Sequence, residues 1–152
     1  MAYITNNKKE IGCPFCDAPQ QSDGPDNLIL FRSSMSYVIL NRFPYTCGHL
    51  MVIPYLHTAN LDEIGGEARA EIMELTNFSI KVLQKVYQPQ GFNLGFNLGD
   101  AAGAGIASHI HMHVVPRWNG DTNFMSTLSM TRVLPEALEE SYQRLRGAWD
   151  LR

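Results

Sequence analysis

The chain has 152 residues, 45% of them hydrophobic and 18% charged, with a formal net charge of -3. These are ordinary figures for a globular domain, and the length is enough for one hydrophobic core. The mild negative charge gives no electrostatic basis for nucleic-acid binding, which wants a basic face, and no apolar run approaches the roughly 20 residues of a membrane span. The polar opening MAYITNNKKE lacks the apolar stretch of a secretory signal, so a cytoplasmic location is expected. Three cysteines do not suggest a disulfide scaffold; in a reducing compartment they point to metal binding or free thiols.

Cys13-Pro-Phe-Cys16 is a CxxC knuckle, a spacing shared by metal sites and redox pairs. LILFRS (Leu28 to Ser33) and YVILN (Tyr37 to Asn41) read as two short strands around Ser34, Met35 and Ser36, a hairpin. HLMVIP (His49 to Pro54) is a third strand, entered through Gly48 and closed by proline. Cys47, alone before that glycine, reads as a small buried apolar residue.

From about Leu61 to Gln88 the period changes. Ile64, Ala68, Ile72, Leu75, Ser79, Val82 and Val86 recur at three and four, which describes an amphipathic helix. Gly65 and Gly66 weaken its first turn, so the regular part is expected near Glu67. GFNLGFNLG (Gly91 to Gly99) repeats a four-residue unit. As a strand it puts Phe92, Leu94, Phe96 and Leu98 on one face, expected toward the core, with Asn93, Gly95 and Asn97 on the other.

After the loop DAAGAGIAS, His109, His111 and His113 fall at every second position. In a strand such residues line one face, while Ile110, Met112 and Val114 supply an apolar opposite face. Pro116 makes a long helix here unfavourable. Three imidazoles in a row are hard to account for as packing. Beyond them Asn119 and Gly120 signal a turn, and Pro135 to Trp149 is expected as a terminal helix, with Leu138, Tyr142 and Leu145 spaced four and three. The whole, residues 1–152, is expected as a single α+β domain with a mainly antiparallel sheet of about five strands, one long helix packed on it and a C-terminal helical extension over about 131–150.

A structural zinc needs four tetrahedral ligands, so the knuckle would require two more, and histidine is the natural supplier. The candidates are His49, His57 and His109. If His57, just past the third strand, and His109, first of the row, both turn toward Cys13 and Cys16, the site is complete. A plain thiol pair is the alternative.

HIHMHVV matches the His-x-His-x-His-x-x signature, with x apolar, of the histidine triad (HIT) superfamily. LNRFPYTCGHLMVIPYLH resembles the Asn-containing strand and following strand-turn of HIT proteins. NLGDAAGAGIASHIHMHVVPRWNGDTNF resembles the bacterial branch associated with diadenosine tetraphosphate phosphorylase, also called ATP adenylyltransferase. Together these segments cover about residues 13–125.

The resemblance implies a HIT-like fold and a homodimer whose two protomers share a continuous antiparallel sheet. It implies a nucleotide substrate of the adenylyl polyphosphate type, with phosphate or water as acceptor, and nucleotidyl transfer through a covalent intermediate on His111. A neutral imidazole attacks phosphorus well and leaves the resulting phosphoramidate well. Its far nitrogen should donate to a fixed acceptor, and in the family a backbone carbonyl by the first histidine serves, so His109 would orient as well as ligate. His113 would bond a phosphate oxygen or help the leaving group. Backbone amides of the loop Gly99 to Gly105, including Gly103 and Gly105, would approach the phosphates. Asn41 resembles the ribose or base contact and Asn97 a polar contact near the phosphate. Arg117, Trp118 and Asn123 are candidates for placing a second anion. In zinc-bearing members the positions matching Cys13, Cys16, His57 and His109 form the metal site, while His49 matches a position inside the preceding strand. No organic cofactor is implied.

Two departures narrow the branch. Where many HIT hydrolases and phosphoramidases carry Gln and then Ser or Thr, this chain has Gly105 and Ile106, so only Ser108 offers a hydroxyl nearby, which disfavours the phosphoramidases. His113 stands where transferases such as galactose-1-phosphate uridylyltransferase have Gln. Two rivals of other classes remain: a zinc-binding or regulatory protein without turnover, and a redox protein using Cys13 and Cys16.

Overall fold

The computed structural model describes residues 12–121 and 136–150. Asn123, Pro135 and residues 131–134 of the expected C-terminal extension lie outside that range. The described elements are α1 (Pro14–Asp17), β1 (Ile29–Arg32), β2 (Ser36–Leu40), β3 (Leu50–Pro54), α2 (Gly66–Tyr87), β4 (Gly91–Phe96), β5 (Met112–Arg117) and α3 (Leu138–Trp149). The five strands form one antiparallel sheet in the order β1-β2-β3-β5-β4, the α+β architecture expected from the sequence.

Several element boundaries differ from the sequence expectation, and three of the differences bear on the site or have a local cause. Ser36, read as part of the turn, is the first residue of β2. The turn is closed from outside by Glu71 of α2, which accepts from the Met35 N–H (3.0 Å) and the Ser34 hydroxyl (2.5 Å). Asn41 lies one residue past β2, where its Oδ1 accepts the Phe43 N–H at 2.9 Å, an Asx turn that ends the strand. The histidine row is not wholly strand: β5 begins at Met112, because its partner β3 ends on Pro54, which has no N–H to continue the ladder. The Ile110 N–H bonds the Thr58 carbonyl instead (2.7 Å).

The register separates the two faces. Val38, Leu40, Leu50, Val52, Met112 and Val114 share one; Tyr37, Ile39, Met51, Ile53, His113, Gly95 and Asn93 share the other. The helices cover the first. A side chain at Gly48, which alternates with Leu50 and Val52, would strike Leu83 and Tyr87 of α2, and α3 packs against α2 and β1, with Trp149 stacked on Phe31 and meeting Phe78 edge-on. α2 buries Ile72, Leu75, Thr76, Ser79, Val82 and Leu83, the stripe that the period of three and four describes.

The expectation that the apolar face of β4 points wholly to the core needs correction. Phe92 and Phe96 pack against the core, but Leu94 and Leu98 are 44% and 47% exposed. β4 is the sheet edge, and α2 packs over β2, β3 and β5, so the helix does not reach far enough to cover them.

On the histidine face the N-terminal segment supplies the cover. The Tyr37 hydroxyl donates to the Phe15 carbonyl (2.6 Å). Arg32 grips Asp23 and donates to the carbonyls of Pro19 (2.8 Å) and Gln21 (3.0 Å). Two strand residues thereby fix the knuckle to the end of the sheet where His109 lies.

Candidate active site

Cys13, Cys16, His57 and His109 converge, each offering one ligand atom within 4.8 Å of the others. His109 Nδ1 lies 3.4 Å from Cys13 Sγ and 3.5 Å from Cys16 Sγ, His57 Nδ1 lies 3.3 Å from Cys16 Sγ, and the two nitrogens are 3.2 Å apart. A tetrahedral zinc with ordinary bond lengths spaces its sulfur and nitrogen ligands about 3.6 Å apart and its two nitrogens about 3.3 Å apart, so the donor set has the size and chemistry for that ion. His109 is prepared as a ligand from behind: its Nε2–H donates to the Pro54 carbonyl at 2.9 Å, which leaves the Nδ1 lone pair facing the cluster. Cys47 stands apart from this group. It is half-buried rather than fully buried, and burial pushes its thiol up. Among the described residues no disulfide joins the three cysteines.

His111 is almost fully buried. Its Nδ1 lies 2.8 Å from the His109 carbonyl, an acceptor only, so Nδ1 carries the proton and Nε2 is left with its lone pair. The Phe15 ring packs against it at 4.9 Å between centroids and meets His109 edge-on at 5.6 Å. Burial first, outweighing the bond to the His109 carbonyl, holds the His111 pKa below the usual histidine value. It is therefore a neutral imidazole at pH 7, the form that can act as nucleophile.

His113 is oriented by a residue that the sequence reading considered only as a metal ligand. His49, fully buried and one residue before β3, accepts the Tyr45 N–H at its Nδ1 (3.1 Å). Its proton is then on Nε2, 2.9 Å from His113 Nδ1. His113 accepts there, so its own proton sits on Nε2, turned away from His49. The Asn41 amide lies 3.4 and 3.5 Å from the same His49 ring. No local pattern marks His49 for this role, because the bond spans 64 residues and depends on β3 lying beside β5. Phe15 was also missed; its one signal is a large apolar residue inside a metal knuckle.

The remaining expected residues are more loosely placed. Gly99 and Gly103 both have φ of +81° around a short 3-10 turn, Asp100–Ala102, and the space over them and over Gly105 is open. Ser108 is exposed and Asn97 half-buried, and neither makes a side-chain hydrogen bond to another described residue. Arg117 is committed to Asp121 (2.5 and 2.7 Å) and to the Asn93 Oδ1 (2.6 Å).

The profile of the HIT domain family matches residues 23–120. The chain belongs to the HIT family. This HIT protein is 41% identical over 136 residues to the AP-4-A phosphorylase of Mycobacterium tuberculosis, a match covering 90% of this chain and 69% of the relative. It is 31% identical over 90 residues to the adenosine 5'-monophosphoramidase of Schizosaccharomyces pombe, covering 59% of this chain and 64% of that one. Among solved structures it resembles a Zn-bound histidine triad family protein from Mycobacterium smegmatis, with a TM-score of 0.72, 31% identity and 91% and 94% of the two chains covered. No described helix of this HIT protein is long and apolar enough to cross a membrane.

The buried histidines are expected to make the fold of this HIT protein acid-sensitive. Burial, then the neighbouring His111, pushes the His113 pKa from 6.5 to about 4. Protonation there would also set an N–H against the His49 N–H. Because the folded pKa lies below the unfolded one, the unfolded chain takes up the proton first as pH falls, and stability present above pH 6.5 is lost toward pH 4. The carboxyls of Asp23, Glu71 and Glu136 are held below their ordinary values of 3.8 and 4.5 by hydrogen bonds that outweigh their burial, so the stability they add is lost only below pH 5. Thermal unfolding between pH 7 and 5 is expected to show a falling midpoint, and His113→Gln to flatten the fall; an unchanged slope in the variant would remove His113 as its source.

Proposed function

We propose that this protein cleaves dinucleoside polyphosphates such as diadenosine tetraphosphate at the α-phosphorus, through a nucleotidyl-His111 intermediate that inorganic phosphate resolves. The observation that carries the reading is the His111 tautomer, with its Nδ1–H held by the His109 carbonyl and its Nε2 lone pair available. The 41% identity to a protein named AP-4-A phosphorylase favours that substrate over a phosphoramidate.

Nε2 of His111 attacks the α-phosphorus as the bond from that phosphorus to the bridging oxygen breaks, releasing a nucleoside triphosphate. The retained Nδ1–H makes the intermediate an imidazolium, which keeps it a good leaving group. The Nε2–H of His113 hydrogen-bonds the departing oxygen. No proton transfer is required of it, since a phosphate with its second pKa near 6 carries that charge in water. Phosphate then attacks the same phosphorus, the nitrogen–phosphorus bond breaks, and a nucleoside diphosphate leaves with His111 neutral again. The loop from Gly99 to Gly105, with Ser108, Asn97 and Asn41, is read as the phosphate and nucleoside contacts.

Cys13, Cys16, His57 and His109 would hold a structural zinc, which supplies tetrahedral cross-linking between the knuckle and the histidine segment. Because the carbonyl that aims His111 belongs to His109, that anchoring also steadies the nucleophile. β4 has a ladder partner on one side only among the described strands, and we read its other edge as the place where a second protomer continues the sheet. We take the site of action to be the cytoplasm, where thiols stay reduced.

The reading is tested by incubating the protein with diadenosine tetraphosphate, with and without phosphate, and separating the nucleotides. ADP and ATP formed only with phosphate is the expected result. AMP and ATP formed regardless of phosphate would make the protein a hydrolase, and nucleotide binding without turnover would leave a binding protein.

A further inference from the structure

The two flanks of His113 are unlike. On the β3 side Met51 stands opposite, and the rings of His49 and Tyr45 lie 5.1 and 6.2 Å from the His113 ring between centroids. On the β4 side the partner is Gly95, where an added Cβ would meet no described atom within 4 Å. Glycine in a strand interior weakens it and often marks a place where a ligand or another backbone comes close. The opening continues along the strand. Asn93, opposite Val115 on the same face, is exposed, and Arg117 donates to its Oδ1 at 2.6 Å. That bond occupies the Asn93 Oδ1 and leaves the two N–H donors of the exposed amide nitrogen to a ligand, about 6.8 Å along the strand from Gly95. Asp121 holds the Arg117 guanidinium, so what the strand presents beside His113 is bare backbone followed by a neutral double donor.

We propose that Gly95 is a specificity-determining residue of this site: with Asn93 it forms a shelf beside His113 for the phosphates beyond the α-phosphorus of a dinucleoside polyphosphate. The proposal rests on the reading above, in which His113 faces the departing oxygen. A side chain at Gly95 fills the shelf and favours substrates with a small leaving group.

The test compares wild type with Gly95→Val, which keeps a strand-forming residue, Gly95→Ala as the milder change, and Asn93→Ala. Turnover of diadenosine tetraphosphate is measured against that of adenosine 5'-phosphoramidate, and binding of diadenosine tetraphosphate against that of AMP by titration calorimetry. The ratio of kcat/KM for the tetraphosphate over the phosphoramidate is expected to fall about tenfold in Gly95→Val, less in the other two, with the binding ratio moving the same way. Unchanged ratios in all three variants would overturn the shelf. So would a change of mass by light scattering in Gly95→Val, because a second copy of the chain would then occupy that face. If wild type turns over neither compound yet binds the tetraphosphate more tightly than AMP, and Gly95→Val abolishes the preference, the catalytic reading fails and the shelf stands; equal binding, or none, refutes the shelf as well.

Discussion

His111→Asn is expected to lower turnover of diadenosine tetraphosphate by about a thousandfold or more, the scale seen when a covalent nucleophile is removed. Asparagine can still donate to the His109 carbonyl, which now accepts the His111 Nδ1–H at 2.8 Å, and its smaller volume leaves the Phe15 contact only partly filled. The fold should persist, with a stability loss of about 1–3 kcal/mol from the cavity. What disappears is the Nε2 lone pair, for which no other atom of the site substitutes: His109 turns its Nδ1 to the cysteines and its Nε2 to the Pro54 carbonyl, and His113 spends its Nδ1 on His49. Brief reaction with substrate labelled at the α-phosphorus, followed by denaturation at alkaline pH, should leave label on the wild-type chain and none on the variant. Turnover within tenfold of wild type in a folded His111→Asn protein would move the nucleophile elsewhere.

Removing the metal ligands should cost both stability and rate. A metal held at about a thousand times its dissociation constant contributes about 4 kcal/mol to folding, and at about 2–4 °C per kcal/mol for a chain of this size its loss lowers the melting temperature on the order of 10 °C. Cys16→Ser keeps the size of the side chain but weakens a zinc ligand, and Cys16 is close to both histidines of the set, at 3.3 and 3.5 Å. Loosening the cluster frees the His109 segment, and with it the carbonyl that selects the His111 tautomer. We therefore expect Cys16→Ser, or wild type treated with a strong chelator, to lose bound zinc by elemental analysis, to melt earlier and to turn over more slowly, with zinc restoring only the wild type. A wild-type protein purified with zinc that retains none, and whose melting point ignores the chelator, would sink the ligand set and favour the thiol pair.

Much of the architecture was readable because the periods are clean. Ile72, Leu75, Ser79 and Val82 repeat at helical spacing and form the buried side of α2; the short β-branched runs became β1, β2 and β3. The histidine row was equally visible, since the alternation of His with Ile110, Met112 and Val114 is a local property that sets opposite faces, and all three apolar residues are buried. Where local pattern had to be combined with topology, the reading failed. Leu94 has the same spacing as Phe92 and Phe96, yet it is exposed, because no short stretch of sequence says that β4 is an edge strand. Asn41 carries on the apolar run of β2 in sequence, but its Oδ1 caps the following turn instead.

By itself, then, the sequence determined which residues could do chemistry and on which face each would stand, because alternation and helical period are properties of neighbouring residues. Only the tertiary structure decided which of those residues meet. The knuckle reaches His57 and His109 across 41 to 96 residues, and His49 reaches His113 because β3 pairs with β5, strands that are not consecutive in the chain. The order in which strands pair is settled by the burial of the whole sheet under α2 and α3, a sum over many distant contacts that leaves no mark in any one segment.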